Sequence, residues 1–264
     1  MSNVTSVPLA AIAGTRYNRC VTDAIDHPLE APHRVRFEVM HMRWLNLTFL
    51  HWQFDPERVQ AILPPDLTVD TFDGAAWVGL VPFQMEVQLP GGIPIPREGQ
   101  FPETNVRTYV RGPDGTPGVW FCSLEAGRLS ATAVARATYG LPYYWADMTA
   151  ENTGPDWRYR SKRTWPGPKG ARCDVDVTAG AAIDEHSELD RFLTARWGLF
   201  STFLGRTLYA PITHESWPLH HGELTYLDDG LMSAAGFPIP DAEPLVHWTP
   251  GVGVRIGRPR IVRG

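Results

Sequence analysis

The chain has 264 residues, a formal net charge of −5, 43% hydrophobic and 20% charged residues, an ordinary globular composition that can bury about three quarters of its unfolded surface. No basic stripe stands out, which argues against a general nucleic-acid binder, and no run of about 18 apolar residues occurs, so no membrane-spanning helix is expected. The first residues lack a signal-peptide pattern, and Cys20, Cys122 and Cys173 have no zinc spacing, so free thiols in a cytoplasmic protein are the expectation.

Gly and Pro each number 24, which suits a turn-rich β protein better than a helical bundle. Residues 1–32 carry little periodicity and read as an N-terminal arm, with 33–264 as one domain. In "FDPERVQAILPP", Asp55 can cap a short helix, Pro56 sits at its first position and Pro64–Pro65 end it. "LTVDTFDGAAWVGLVPFQMEVQ" reads as a hairpin about its Asp-Gly turn, and "GGIPIPREGQFP" as a rim loop. A second hairpin covers "ETNVRTYVRGPDGTPGVWFCSLEA". "SATAVARATYG" predicts a helix capped by Ser130 and stopped by Gly140 and Pro142. Strands follow at 143–150, 156–164 and 171–180. "SELDRFLTARW" predicts another helix with an S-x-x-D start, and the remainder is again mostly strand. The sum is an α+β chain, mostly antiparallel β, with three or four short helices and turn spacing that favours a barrel or closed sheet.

In "ETNVRTYV", Glu103, Asn105, Arg107 and Tyr109 share one strand face. Such a face either lines a polar cavity or meets solvent, and alternation alone fits both. His51, His214, His220 and His221 fall in no H-x-H, H-x-x-x-H or H-E-x-x-H arrangement, so no metal site and no cofactor are expected. No Walker loop, G-x-S-x-G elbow or dinucleotide fingerprint occurs. Arg158 and Arg160 share a strand face and Arg163 takes the other; a solvated or ion-paired surface is the simplest reading, with an anion funnel as the alternative. Only two of the 24 basic residues are lysines, Lys162 and Lys169.

The stretches "HWQFDPERVQAILPPDLTVDTFDGAAWVGLVPFQM", "FPETNVRTYV", "GVWFCSLEA", "ARATYGLPYYWADM" and "HWTPGVGVRI" together resemble the YqjF-like bacterial domain of unknown function, over roughly residues 33 to 258. That family is grouped by fold with acetoacetate decarboxylase, so the resemblance implies an antiparallel barrel or cone around a buried cavity. It implies no established reaction. The decarboxylases carry a segment similar to Gly-Arg-Glu-x-x-Gly-x-Pro-Lys-Lys, in which one lysine forms a Schiff base with the substrate ketone, its pKa lowered by burial and by the neighbouring cation. Here "ARATYGLPYY" falls in its place, with Arg136, Gly140 and Pro142 matching, Ala137 replacing the glutamate and Tyr143 and Tyr144 replacing the lysines. Phenols form no imines. Glu103 is similar in position to an acidic cavity residue of the decarboxylases, a match of one residue.

These readings predict a cavity with Glu103, Arg107, Tyr143 and Tyr144 as catalytic candidates, and Asn105, Tyr109, Trp120, Arg136, His51 and His214 as ligand-binding candidates. Adjacent strand residues point to opposite faces, so only one of Tyr143 and Tyr144 is expected to face inward. Two arginines can clamp a carboxylate, and Glu103 with a tyrosine can move protons. The expected partner is a small, anionic molecule, with no nucleic acid and no membrane; the sequence leaves a homo-oligomer open. Two functions fit: an enzyme using acid/base chemistry on a small oxo- or hydroxy-acid without imine or metal, or a non-catalytic binder or sensor on the same scaffold. A filled cavity would leave a role in protein association. A polar face turned into a cavity, with a tyrosine oxygen within about 3.2 Å of an arginine or carboxylate, keeps the first two.

Overall fold

The computed structural model describes residues 27–89, 92–95 and 99–262; Cys20, most of the expected arm and part of the 91–102 loop lie outside them. In chain order the elements are β1 Glu38–Phe54, α1 Pro56–Gln60, β2 Thr68–Val69, β3 Thr71–Phe72, β4 Ala75–Leu89, β5 Ile93–Pro94, β6 Gln100–Arg111 and β7 Pro117–Ala126. Then follow α2 Leu129–Tyr139, β8 Tyr143–Thr153, β9 Asp156–Trp165, β10 Arg172–Ala182, α3 Glu188–Thr194 and β11 Gly198–Phe203. The last are β12 Arg206–His214, β13 His220–Asp229, α4 Leu231–Ala234, β14 Leu245–Gly257 and β15 Arg260–Ile261. Among the described residues all the strands belong to one sheet, in which only the β7–β8 and β7–β11 pairs are parallel.

Local chemistry explains most boundaries. The Asp55 carboxylate accepts from the Glu57 N–H and Pro56 opens α1. Asp73 and Gly74 both take positive φ, 50° and 76°, in the two-residue turn between β3 and β4, the backbone that a right-twisted hairpin requires. Ser187 and Asp190 form a reciprocal capping box on α3. Helix α2 differs from expectation at its start. Arg128 holds the N-cap position, so Ser130 lies inside the first turn. Helix α4 carried no apolar period long enough to read; the Asp229 carboxylate accepts from the N–H groups of Leu231 and Met232 and starts it.

The strand path closes on itself twice. Beyond the linear order, β6 pairs with β7 and β12 pairs with β14. One circuit runs β6–β7–β11–β12–β14–β1–β4 and the other runs β6–β7–β8–β9–β10–β13–β14–β1–β4. The two share β14, β1, β4, β6 and β7, and the middle stretches of β1, β4 and β6 are buried on both faces. On one side Leu47, Phe49, Phe83, Met85, Phe101 and Tyr109 build a core with residues of β7, β11, β12 and β14. On the other, Leu50, Trp52, Val78, Leu80 and Val106 pack with Trp157, Tyr159, Val175 and Phe237. The face of β6 bearing Glu103, Asn105 and Arg107 therefore meets the first core, and from Glu103 to Val110 neither face of the strand meets solvent.

Candidate ligand site

A cavity of about 340 Å³ opens within the first core, and Glu103, Asn105, Arg107 and Tyr143 line it. The strand register explains the tyrosine. β7 and β8 run parallel with Leu124 opposite Tyr143 and Glu125 opposite Tyr144. Leu124 and Tyr143 share the cavity side, while Glu125 and Tyr144 share the other. The turn into β8 is fixed by Gly140, whose φ of 63° ends α2 in a left-handed residue. The Arg136 Nη1 then donates to the carbonyl of Tyr143 at 2.7 Å. Arg136 thus holds the backbone of a cavity residue and is not itself among the lining side chains.

The Tyr143 hydroxyl donates to Glu103 Oε2 at 3.0 Å. Burial pushes the Glu103 carboxyl up to about 8, against a smaller lowering from the Tyr143 hydrogen bond, so this acid carries its proton at neutral pH. Burial, and then the nearby Glu103, push the Tyr143 phenol well above its ordinary value. Tyr143 is a donor and not a base.

Arg107 is 7% exposed. Its Nη2 donates to the Tyr109 hydroxyl at 3.3 Å and to the Leu193 carbonyl at 3.4 Å, and its Nε has no protein partner. Among the described residues no carboxylate forms an ion pair with it. The Oδ1 of Asn105, also on the cavity wall, is likewise buried and unpartnered. Behind the arginine, the His51 Nε2 and the Tyr109 hydroxyl lie 2.6 Å apart. Burial first and the Arg107 charge second hold His51 well below its ordinary pKa, so it stays neutral beside the guanidinium. Gly79 lies between His51 and Arg107 on the paired strands; a Cβ there would sit 2.9 Å from the His51 ring. The Tyr109 ring is backed by the Arg196 guanidinium at 4.7 Å, and Arg196 is paired with buried Asp70 at 2.6 Å. His51 and Tyr109 therefore support Arg107 from behind the wall.

Besides Arg136, three expected residues stand elsewhere. Tyr144 points away from the cavity and stacks on Arg163, 3.6 Å from its Cζ. Arg163 is itself a correction to the surface reading. It is buried and bidentate on Glu125, at 2.6 and 3.1 Å, with Ser123 at 2.9 Å. Arg158 is exposed and Arg160 pairs with Asp176, as an ion-paired surface predicts. Trp120 borders a separate groove with Leu63, Phe121, Leu141 and Phe200 and is not among the residues that line the cavity. His214 packs between Trp197 and Trp217, with ring centroids 4.4 and 5.0 Å away, and borders another cleft. Both lysines are exposed and neither lines the cavity.

The residues that sequence reasoning missed are mainly apolar. Met40, Met42, Met85, Phe101, Phe121 and Leu141 form much of the wall, and Ser130 and Tyr139 approach from α2. Phe101 was the one within reach, because it continues the alternation of Glu103 and Asn105 by one step. The others depend on which strands close the sheet.

A mostly antiparallel sheet closed around a cavity is the architecture of the acetoacetate decarboxylase-like fold, and this chain has it. Solved structures agree: an acetoacetate decarboxylase-like enzyme from Sphingomonas wittichii RW1 superposes with a TM-score of 0.60 at 15% identity, covering 86% of this chain and 94% of that one. The enduracididine biosynthesis enzyme MppR, complexed with pyruvate, gives a TM-score of 0.59 at 16% identity, covering 86% and 91%. At the sequence level, the DUF2071 model, described as an uncharacterized conserved protein, matches residues 41–253, and the chain belongs to that family. It is 33% identical over 211 residues to the uncharacterized protein YqjF of Bacillus subtilis (strain 168), covering 80% of this chain and 87% of that protein.

Proposed function

We propose that the cavity binds a small carboxylic acid of the oxo or hydroxy class and acts on it by proton transfer. The observation that carries this reading is Arg107. A buried guanidinium with a free Nε and, among the described residues, no carboxylate partner is a costly arrangement unless an anion completes it. Asn105 supplies a second polar atom directed at the same space. Glu103, neutral at pH 7, then gives a proton to a carbonyl or leaving oxygen and can recover it, while Tyr143 orients the carboxyl and donates to charge that develops nearby. Neither Lys162 nor Lys169 stands where it could form an imine with a ligand in this cavity.

The test is a thermal-stabilisation screen with pyruvate and related oxo and hydroxy acids, followed by product analysis on the acids that bind. Arg107→Met is expected to weaken every acid at least tenfold, the loss of a charge-assisted contact of about 1.5–3 kcal/mol. Glu103→Gln and Tyr143→Phe are expected to retain binding and lose turnover. Binding with no product from the unaltered protein would reject the catalytic half of the proposal and make the molecule a binder or sensor. Acids that bind Arg107→Met as tightly as the unaltered protein would reject the proposed anion site.

A further inference from the structure

We infer that the ligand is an elongated acid with an apolar tail, not a three- or four-carbon acid; this inference rests on the anion site at Arg107. It is carried by the way polarity is distributed along the cavity. On β6 the lining residues run Arg107, Asn105, Glu103, Phe101, and Gly99 precedes the strand. The pairing with β4 places Phe83 opposite Glu103 and Met85 opposite Phe101. The Val87 N–H donates to the Gly99 carbonyl one step further on. Across β4, Trp44 of β1 pairs with Met85 and Met42 with Val87, and Met40 extends the row. The polar groups of β6 therefore occupy one half of the cavity, and Phe101, Met85, Met42, Val87 and Met40 wall the other.

Burial gives the direction. Arg107, Asn105 and Glu103 are buried, whereas Met40, Val87 and Ile95 are half-buried. The charged head then lies inside and the chain runs outward past the methionines. Unbranched thioether side chains adapt to a flexible alkyl chain better than branched ones do. Size agrees. At roughly 30 Å³ per water-sized group, a cavity of about 340 Å³ holds about eleven such groups. A three-carbon acid would leave the methionine half without contact.

The experiment measures affinity for straight-chain 2-oxo acids from pyruvate to 2-oxododecanoate. Intrinsic tryptophan fluorescence and calorimetry report binding, and methyl esters serve as uncharged controls. Affinity is expected to rise about fourfold per methylene and to level off at about eight carbons, because three of the roughly eleven groups the cavity holds are the acid's oxygens. Val87→Trp, which fills the tail half, is expected to lower the ratio of long-chain to short-chain affinity at least tenfold. Met40→Trp makes the same test at the mouth if the first variant fails to fold. A flat or falling series, with Arg107-dependent binding of pyruvate retained, overturns the tail and leaves the anion site standing. Failure of acids of every length, or equal binding by Arg107→Met, overturns the anion site and the tail with it.

Discussion

Glu103 shows how one buried side chain sets the pH behaviour of the site. Its carboxyl titrates near 8 in the folded protein because burial penalises the charged form, against an ordinary value of about 4.3 in an unfolded chain. The folded state therefore holds a proton that the unfolded state has lost between those two values. Stability contributed by this group is fully present below about 4.3 and is lost progressively as pH rises towards 8. Glu103→Gln keeps the shape and cannot ionise. Its stability relative to the unaltered protein is expected to climb from pH 5 to pH 8 and then level off, as read from paired urea titrations. Ligand binding should follow the same group. Above about pH 8 the glutamate charge would oppose an anion, so affinity should fall there in the unaltered protein and hold in Glu103→Gln. An affinity that keeps the same pH dependence in both would remove Glu103 from the site.

At the scale of elements, the short parallel pairing of β7 and β8 decides what the two tyrosines do. The sequence showed that they must diverge, because adjacent strand residues face opposite ways. It did not show which one turns inward, since that depends on Leu124 lying opposite Tyr143 across a pair far apart in register from any hairpin. Tyr144 then covers the Arg163–Glu125 pair, whose two side chains are nearly inaccessible to solvent. Arg163→Met would leave Glu125 buried without its partner, and a loss of about 3–5 kcal/mol is expected, measurable as a lower urea midpoint. Gly140 sets the start of β8. A Cβ there would lie 2.2 Å from the Thr202 carbonyl, at a φ of 63°. Gly140→Ala is therefore expected to cost about 2 kcal/mol or more and to disturb Tyr139 and Leu141 on the cavity wall. A variant as stable as the unaltered protein would mean that α2 can end another way.

For the whole molecule, the two circuits of strands separate stability from the site. β1, β4 and β6 carry the cavity on one face and a second hydrophobic core on the other. Leu80 is fully buried in that second core. Leu80→Ala is expected to cost about 2–5 kcal/mol while leaving ligand affinity unchanged well below the unfolding midpoint. A large affinity loss under folding conditions would show the shared strands to be mechanically coupled.

Local rules were legible in the chain itself. Asp55–Pro56, the Asp73–Gly74 turn, the Ser187 capping box and the Gly140 stop each act through a few neighbouring atoms, so sequence order alone fixed them. The shared face of Glu103, Asn105 and Arg107 followed from the two-residue period of a strand. Whether that face met water or a cavity was a matter of what stood across from it, and alternation is the same in either case. Only the closure of the sheet, which brings Met42, Leu124, Tyr143 and Leu199 from four strands around β6, decided it. The same closure removed Trp120, His214 and Tyr144 from the site and turned Arg163 from a surface charge into a buried one. Burial and partnership are properties of surfaces in contact, and those surfaces exist only once the chain has folded.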